Sequence, residues 1–376
     1  MKRFLFIHSG TDLYGSDRML LFVMETVRAV FPGGYLEVWI PGPGALSLQI
    51  ARDFPEAEVR YEPTAVLRRY DLKRFNFGAL FRLAIFPRWI RKLSAFDFIL
   101  VNTIVIWDVL LALRFVKGRK VVYVHESPEG LSRRIFRWFL RWSGAERVFV
   151  SHAVQASVWV NGDPNQRVIW NGCKAVQVAP PQSGGEPRNL HLLQLGRISA
   201  VKGQELLLDA LALLPRNVRK CIDIRIVGDV FGRQEALMAR LYEKIVHCGM
   251  EDQVSFHPFS SPPDAHFAWA DGIVVPSVFP EPFGLVAIEA MSTSRPVIAA
   301  AHGGLLEIVE DGVSGWLFLP GDAEALSHLL WRAATMDRGT FLGLGDAGRR
   351  RYESFFSEER CRHAWIELLE EKKVEV

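Results

Sequence analysis

Phe279-Pro280-Glu281-Pro282-Phe283-Gly284-Leu285-Val286-Ala287-Ile288-Glu289 places a carboxylate between two prolines, then a glycine, then a run of good helix formers. Proline disfavours helical backbone in the residue before it, so Pro280 and Pro282 hold Glu281 in an extended loop. Gly284 permits a tight turn, and Leu285–Met291 reads as helix. The stretch predicts a loop carboxylate, a free helix start, and a second carboxylate, Glu289, within the first turns. Unpaired N–H groups at such a start bind phosphate. Glu281 would then meet sugar hydroxyls and Glu289 a ribose diol. Alone, the pattern also fits an ordinary loop-to-helix junction with a capping acid.

Short apolar runs flank this stretch on both sides. Strands are expected at Leu190–Gly196, Asp223–Gly228, Val254–His257, Gly272–Pro276 and Pro296–Ala300, with helices near 203–214, 233–248 and 284–293. The first half repeats the alternation, with strands at Arg3–Ser9, Tyr35–Pro41, Phe96–Asn102, Lys120–Glu126, Arg147–His152 and Arg167–Asn171. Several are near-continuous hydrophobic runs, the signature of parallel strands covered by helices on both faces. Ala179-Pro-Pro-Gln-Ser-Gly-Gly-Glu-Pro-Arg188 breaks the pattern and reads as a linker. The expected organisation is α/β: two Rossmann-like doubly wound domains at 1–178 and 189–355, the linker 179–188 between them, and a helix within 356–376 packing back on the first domain. Ligands of such sheets bind beyond the carboxyl ends of the strands, so a cleft between the two domains is the expected site.

Leu195-Gly-Arg-Ile-Ser-Ala-Val-Lys-Gly203 leaves a strand, carries Arg197 and Lys202 on the connecting loop, and enters a helix. Arginine grips phosphate with two prongs and lysine offers a point charge. Two cations near a helix start are disfavoured by its dipole unless an anion binds there. A leaving diphosphate is such an anion.

The 376 residues exceed one hydrophobic core, and 49% hydrophobic against 23% charged residues describes a globular chain. Cys173, Cys221, Cys248 and Cys361 form no CxxC pair, which argues against a zinc site or disulfide framework and fits a reducing compartment. Phe4–Ile7 is too short for a signal-peptide core, and the most apolar window, 93–113, is interrupted by Asp97, Asn102 and Asp108. A cytoplasmic protein is expected. Residues 1–180 hold 25 Lys and Arg against 15 Asp and Glu, so the first half carries the positive field and attracts an anionic partner.

Together these residues resemble the retaining glycosyltransferases of family four, with their GT-B architecture of two Rossmann-like domains. The likeness rests on Gly196-Arg197…Lys202-Gly203, Ile226-Val-Gly-Asp229, Val275-Pro-Ser277, Glu281-Pro-Phe-Gly284…Glu289-Ala290 and Gly303-Gly304…Glu307…Gly312…Gly315, with Val168-Ile-Trp-Asn-Gly172 upstream. Unrelated folds rarely reproduce that order and spacing. The resemblance implies that Arg197 and Lys202 hold the diphosphate, Glu281 touches the donor sugar and Glu289 the ribose. Backbone amides at Phe283, Gly284 and Leu285 would approach sugar and phosphates, and Gly228 and Asp229 the nucleotide. In Gly10-Thr-Asp-Leu-Tyr-Gly-Ser-Asp-Arg18 it implies a phosphate-facing loop, with Gly15 and Ser16 where a glycine pair is common. His125, in Tyr123-Val-His-Glu126, matches a histidine that contacts the donor sugar; without the family it would read as a satisfied core residue. His257-Pro258 stands where the family has a glycine near the base pocket, which leaves the base open.

The implied reaction moves a hexose-type sugar from a UDP, GDP or dTDP donor to a hydroxyl of a glycan or lipid-linked acceptor, as in cell-surface polysaccharide or glycolipid synthesis. It would retain anomeric configuration and use neither cofactor nor metal, since no Asp-rich or His/Asp cluster offers a metal site. Arg68–Phe77, Phe81–Lys92 and Leu131–Trp142 mix basic and bulky apolar side chains and read as amphipathic helices suited to an anionic membrane surface on the inner face of the plasma membrane. The same pattern also fits helices packed on a sheet with solvated cations. Rivals are a nucleotide-sugar epimerase or phosphorylase on the same fold, or a non-catalytic nucleotide-sugar-binding protein. Nucleic acid is excluded as a partner because the basic segments lie in no recognition module.

Overall fold

A computed structural model describes residues 1–62, 86–158, 163–181, 189–230, 235–259 and 262–371. The chain divides into two compact units: Met1–Asn171 with Cys361–Val376, and Gly172–Arg360. Most of the sequence-derived linker, residues 182–188, lies outside the described residues.

The first unit holds a seven-stranded, all-parallel sheet. Its strands are β1 (Arg3–Ile7), β2 (Tyr35–Ile40), β3 (Glu58–Tyr61), β4 (Phe98–Val101), β5 (Arg119–Val124), β6 (Glu146–Phe149) and β7 (Gln166–Val168), in the order β3-β2-β1-β4-β5-β6-β7. The order reverses between β1 and β4, where Ile7 pairs with Val101. Leu5, Phe6, Ile7, Ile99, Leu100 and Val101 are fully buried there, which explains why these strands read as unbroken apolar runs.

The second unit has a six-stranded parallel sheet. It comprises β8 (Leu190–Leu195), β9 (Ile222–Val227), β10 (Val254–His257), β11 (Gly272–Val275), β12 (Val297–Ala300) and β13 (Gly315–Phe318), in the order β10-β9-β8-β11-β12-β13. Its reversal falls between β8 and β11. Both sheets are doubly wound, as the sequence predicts, and the helices 204–212, 235–248 and 285–292 fall within the expected ranges.

The sequence reading omits β3 and β13, which are edge strands of four residues each. Three of the four β3 residues are exposed, so no apolar run marks it. The helix Glu358–Glu370 contributes its part from Cys361 to the first unit: Arg119 donates to the carbonyls of Leu368 (2.6 Å) and Leu369 (3.1 Å), and the Trp365 ring lies 4.9 Å from Tyr123.

Of the three basic amphipathic segments, Arg68–Phe77 and residues 81–85 lie outside the described residues. The helix Phe86–Leu93 lays Trp89 against Trp39, with ring centroids 5.4 Å apart, and Lys92 pairs with Glu62. Packing on the sheet therefore uses its apolar face. The helix Gly130–Ser143 buries Phe136 and Leu140 but leaves Leu131, Trp138 and Trp142 exposed. No helix among the described residues is long and apolar enough to cross a membrane.

Candidate active site

In the second unit, the loops that follow β8 and β11 bring predicted residues into contact. Lys202 Nζ lies 2.5 Å from Glu281 Oε1, and Ser277 Oγ donates to the same oxygen at 2.6 Å. The residues are 79 positions apart, and adjacency of β8 and β11 at the reversal closes that distance. Burial alone would push the Glu281 carboxyl up. The Lys202 charge and hydrogen bond, the Ser277 hydroxyl and His302 outweigh it and hold the carboxyl below the usual range.

Glycines hold these loops close. Gly203 has φ +70°, and a Cβ there would sit 1.9 Å from the Pro276 carbonyl oxygen. At Gly303, φ is +57° and a Cβ would meet the Glu281 carbonyl at 2.2 Å. Gly304 N–H donates to that carbonyl at 2.8 Å, so the Pro-Glu-Pro loop is clamped by its own backbone. His302 donates from Nε2 to the Ser277 carbonyl at 2.7 Å, supporting the residue that supports Glu281. Gly284, at φ +121°, starts the helix Leu285–Ser292, whose N-terminus has no side-chain cap. Its first N–H groups are the anion-binding kind anticipated from the sequence.

The remaining predicted residues of this unit lie on the loops after β8 and β9 or on the segment that follows Glu281. Arg197 is exposed on the Lys202 loop, and its carbonyl accepts from Gln204 at 3.0 Å. Gly228 lies so near that a Cβ would be 2.0 Å from the Gly196 carbonyl oxygen, and Ile198 N–H donates to the Asp229 carbonyl at 3.0 Å. Asp229 Oδ1 also accepts from Phe259 N–H at 3.1 Å. Phe283 is buried, its ring 6.0 Å from Phe356. Glu289 is only 3% exposed, one turn into the helix that Leu285 begins.

His125, Gly15 and Ser16 belong to the first unit. His125 follows β5, and Gly15 and Ser16 open the helix Gly15–Val30. His125 Nε2 lies 2.9 Å from Asn102 Oδ1. Asn102 Nδ2 lies 2.9 Å from the Ser16 carbonyl and 3.1 Å from His8 Nδ1, and His8 Nε2 lies 2.8 Å from Asp17 Oδ1. Burial, reinforced by His8, lowers the His125 pKa to about 3, so the ring is neutral. Sequence reasoning missed His8, Asp17, Asn102, Ser277 and His302 as participants. All but Asp17 share a positional signal: His8, Asn102, Ser277 and His302 lie within two residues of a strand's carboxyl end. Among the described residues, no group of three or more His, Cys, Asp or Glu is placed to hold a metal ion.

Residues 179–337 match the family model described as glycosyl transferases group 1. A D-inositol 3-phosphate glycosyltransferase of Pseudarthrobacter chlorophenolicus is 40% identical over 138 residues, which cover 36% of this chain and 32% of that protein. A mannosylfructose-phosphate synthase of Agrobacterium fabrum is 32% identical over 152 residues, covering 39% and 33%. The chain thus spans about a third of the length of these curated relatives. Across 99% of this chain and 100% of the other, the fold is similar to that of Anabaena Alr3699/HepE, solved in complex with UDP and glucose, at a TM-score of 0.80 and 23% identity. Residues 179–337 are thus similar to the group 1 glycosyl transferases, and the two doubly wound sheets have the GT-B fold.

Proposed function

We propose that the protein transfers a hexose-type sugar from a nucleotide-diphosphate donor to a hydroxyl of a glycan or lipid-linked acceptor. The observation that carries this reading is the Lys202–Glu281–Ser277 contact at the sheet reversal, in the region matching the family and close in sequence to an uncapped helix start. A uridine nucleotide is the first donor to test, since UDP accompanies glucose in the structure of the Anabaena protein.

In this reading Arg197, Lys202 and the amides at Phe283–Leu285 neutralise the departing diphosphate, the task a metal ion performs elsewhere. Glu281, kept ionised by Lys202, orients the donor sugar and faces the positive charge that develops on it. Glu289 meets the ribose, and Gly228 and Asp229 border the nucleotide. Gly15 and Ser16 face phosphate or acceptor, and His125 contacts the sugar. Transfer retains anomeric configuration, by attack of the acceptor from the leaving-group face, and needs neither metal nor cofactor.

Incubating the protein with UDP-, GDP- and dTDP-hexoses and following nucleotide release with and without chelator tests this directly. Release from one donor class that persists in chelator is expected, with the anomeric proton of the product reporting retention. A loss of activity that magnesium reverses would overturn the metal-free assignment, and release from no donor would overturn the transferase reading.

A lipid-linked acceptor is favoured by the outward face of the helix Gly130–Ser143. Trp138 and Trp142 stack at 5.5 Å while exposed to solvent, beside exposed Arg133, Arg134 and Arg141. Bulky rings with cations around them suit an anionic lipid surface at the inner face of the plasma membrane, each basic residue adding about 1 kcal/mol. Flotation with anionic liposomes at low salt should carry the protein, and Trp138→Ser with Trp142→Ser should leave it behind. Absence of binding by the unaltered chain ends this assignment.

A further inference from the structure

The contacts around Asn102 fix more than a position. The Ser16 carbonyl can only accept, so the Asn102 atom 2.9 Å from it must be the amide nitrogen. That settles the amide's orientation without assumption. The same nitrogen lies 3.1 Å from His8 Nδ1, which must therefore be bare, leaving His8 Nε2 to carry the proton and donate to Asp17 Oδ1 at 2.8 Å. The Asn102 oxygen can only accept, so His125 Nε2, 2.9 Å away, must carry the proton of that ring.

Asp17 is anchored in turn, since its second oxygen accepts the Tyr14 N–H at 2.9 Å. His8, Asp17 and Asn102 are each less than 5% exposed. The chain Asp17–His8–Asn102–His125 therefore has one consistent set of proton positions, and it ends at His125 Nδ1, which has no hydrogen-bond partner among the described residues.

We infer that Asn102, oriented by the Ser16 carbonyl and braced by the His8–Asp17 pair, is a positioning residue that holds His125 as its Nε2–H tautomer and so presents Nδ1 as a hydrogen-bond acceptor. In this protein Nδ1 would accept a hydrogen bond from a sugar hydroxyl, a role that rests on the transferase reading above. The proton on Nε2 rests on the contacts, and the bare Nδ1 on the burial that keeps the ring neutral. A neutral ring that is bare at Nδ1 can receive a hydrogen bond and cannot supply one there. It therefore selects a ligand group that donates, such as a hydroxyl, over one that only accepts, such as a phosphate oxygen. The titratable groups around the ring are His8, Glu126, whose Oε2 accepts the His125 backbone N–H at 3.2 Å, and Tyr123, whose ring lies 4.2 Å away.

NMR of the full chain, labelled at its imidazole nitrogens, reads the tautomer without any substrate. The expected spectrum has His125 protonated at Nε2 and bare at Nδ1 near neutral pH. A proton on Nδ1, or a charged ring, overturns the inference. Asp17→Asn removes the chain's charge at the end remote from His125. An asparagine there can also donate to His8, which frees both His8 tautomers while the Ser16 carbonyl still orients Asn102. Mixed His8 tautomers are expected, with His125 still protonated at Nε2. A His125 proton moved to Nδ1 in Asp17→Asn overturns the assignment of its tautomer to Asn102 and the Ser16 carbonyl.

Asn102→Asp keeps an acceptor for His125 but places a charge beside it. The His125 pKa should rise by about one unit or more, and the acid limb of kcat should move with it. A purely structural Asn102 predicts only a lower folded fraction, with tautomer and pH profile unmoved. Should no nucleotide sugar be turned over while His125 shows the expected tautomer, the transferase reading fails and the tautomer assignment stands. Sugar transfer by a protein whose His125 carries its proton on Nδ1 overturns the tautomer assignment and leaves the transferase reading in place.

Discussion

The two sheets reverse their strand order at the same place, between their first and fourth strands, yet the side chains gathered there differ in kind. In the second unit a full positive and a full negative charge meet, Lys202 on Glu281, with a serine hydroxyl as third partner. In the first, one charge, Asp17, stands at the far end of a neutral chain that ends in an uncharged histidine. Topology dictates where loops converge. The residues placed on those loops decide whether the crevice presents charge or directed hydrogen bonds. A diphosphate calls for the first kind of site and a sugar hydroxyl for the second.

Loss of the negative partner probes this contrast hardest. Glu281→Ala should lower kcat for sugar transfer by about 100-fold to 1,000-fold, the range for losing a charge-stabilising group at a reacting centre. Glu281→Gln should fall between. Near-normal turnover in Glu281→Ala would show that the ion pair is structural.

Removing the positive partner should act on binding. Lys202→Ala forfeits a charge-assisted contact, about 1.5–3 kcal/mol, so the Kd for a nucleoside diphosphate should rise by roughly 10-fold to 100-fold in titration calorimetry. It should also change the response to acid. Glu281's folded-state pKa is depressed below 4.5, so its stabilising contribution is complete above that value and is lost as pH falls through the lower folded value. Without Lys202, burial raises the carboxyl instead. The melting temperature of Lys202→Ala should therefore fall less steeply on acidification below pH 4.5 than that of the unaltered chain.

Glycine substitutions compare the two crevices at smaller cost. Gly203→Ala meets backbone at φ +70°, where the Pro276 carbonyl cannot yield, and should lose about 1–3 kcal/mol of stability in denaturant unfolding. Gly10→Ala would bring Cβ to 2.6 Å from Asp17 Oδ1 and 2.9 Å from His8 Nε2, both of them side chains. Its effect on stability should be the smaller, with the His8 and His125 imidazole signals shifting instead. Equal losses in both would erase the distinction between a backbone-clamped and a side-chain-built site.

Much of the architecture was legible because parallel strands covered on both faces are unbroken apolar runs, as in Phe4–Ile7 and Val121–Val124. Glu58–Tyr61 escaped notice because three of its four residues are exposed and no apolar run marks it, whereas Gly315–Phe318 is an apolar, largely buried run that went unread because it is only four residues long. The Pro-Glu-Pro loop and the Arg197–Lys202 loop could each be read alone, since proline and glycine act locally. That Lys202 touches Glu281 could not, because 79 residues separate them and only strand order joins them. The His8–Asn102 contact spans 94 residues and depends on the register that pairs Ile7 with Val101. A lone histidine after a short strand carries no hint of that.

A diphosphate held by Lys202 beside a sugar held by Glu281 can be checked by thermal stabilisation of the full chain with UDP, GDP and dTDP, set beside Lys202→Ala and Glu281→Ala. A ligand that binds the folded state raises its apparent stability. At least one nucleotide diphosphate should raise the melting temperature of the unaltered chain. Lys202→Ala should markedly reduce that rise, and Glu281→Ala should leave it largely in place for the bare nucleotide while removing the additional rise given by its sugar ester. A chain unmoved by every nucleotide, or a Lys202→Ala variant stabilised as fully as its parent, is incompatible with such a site.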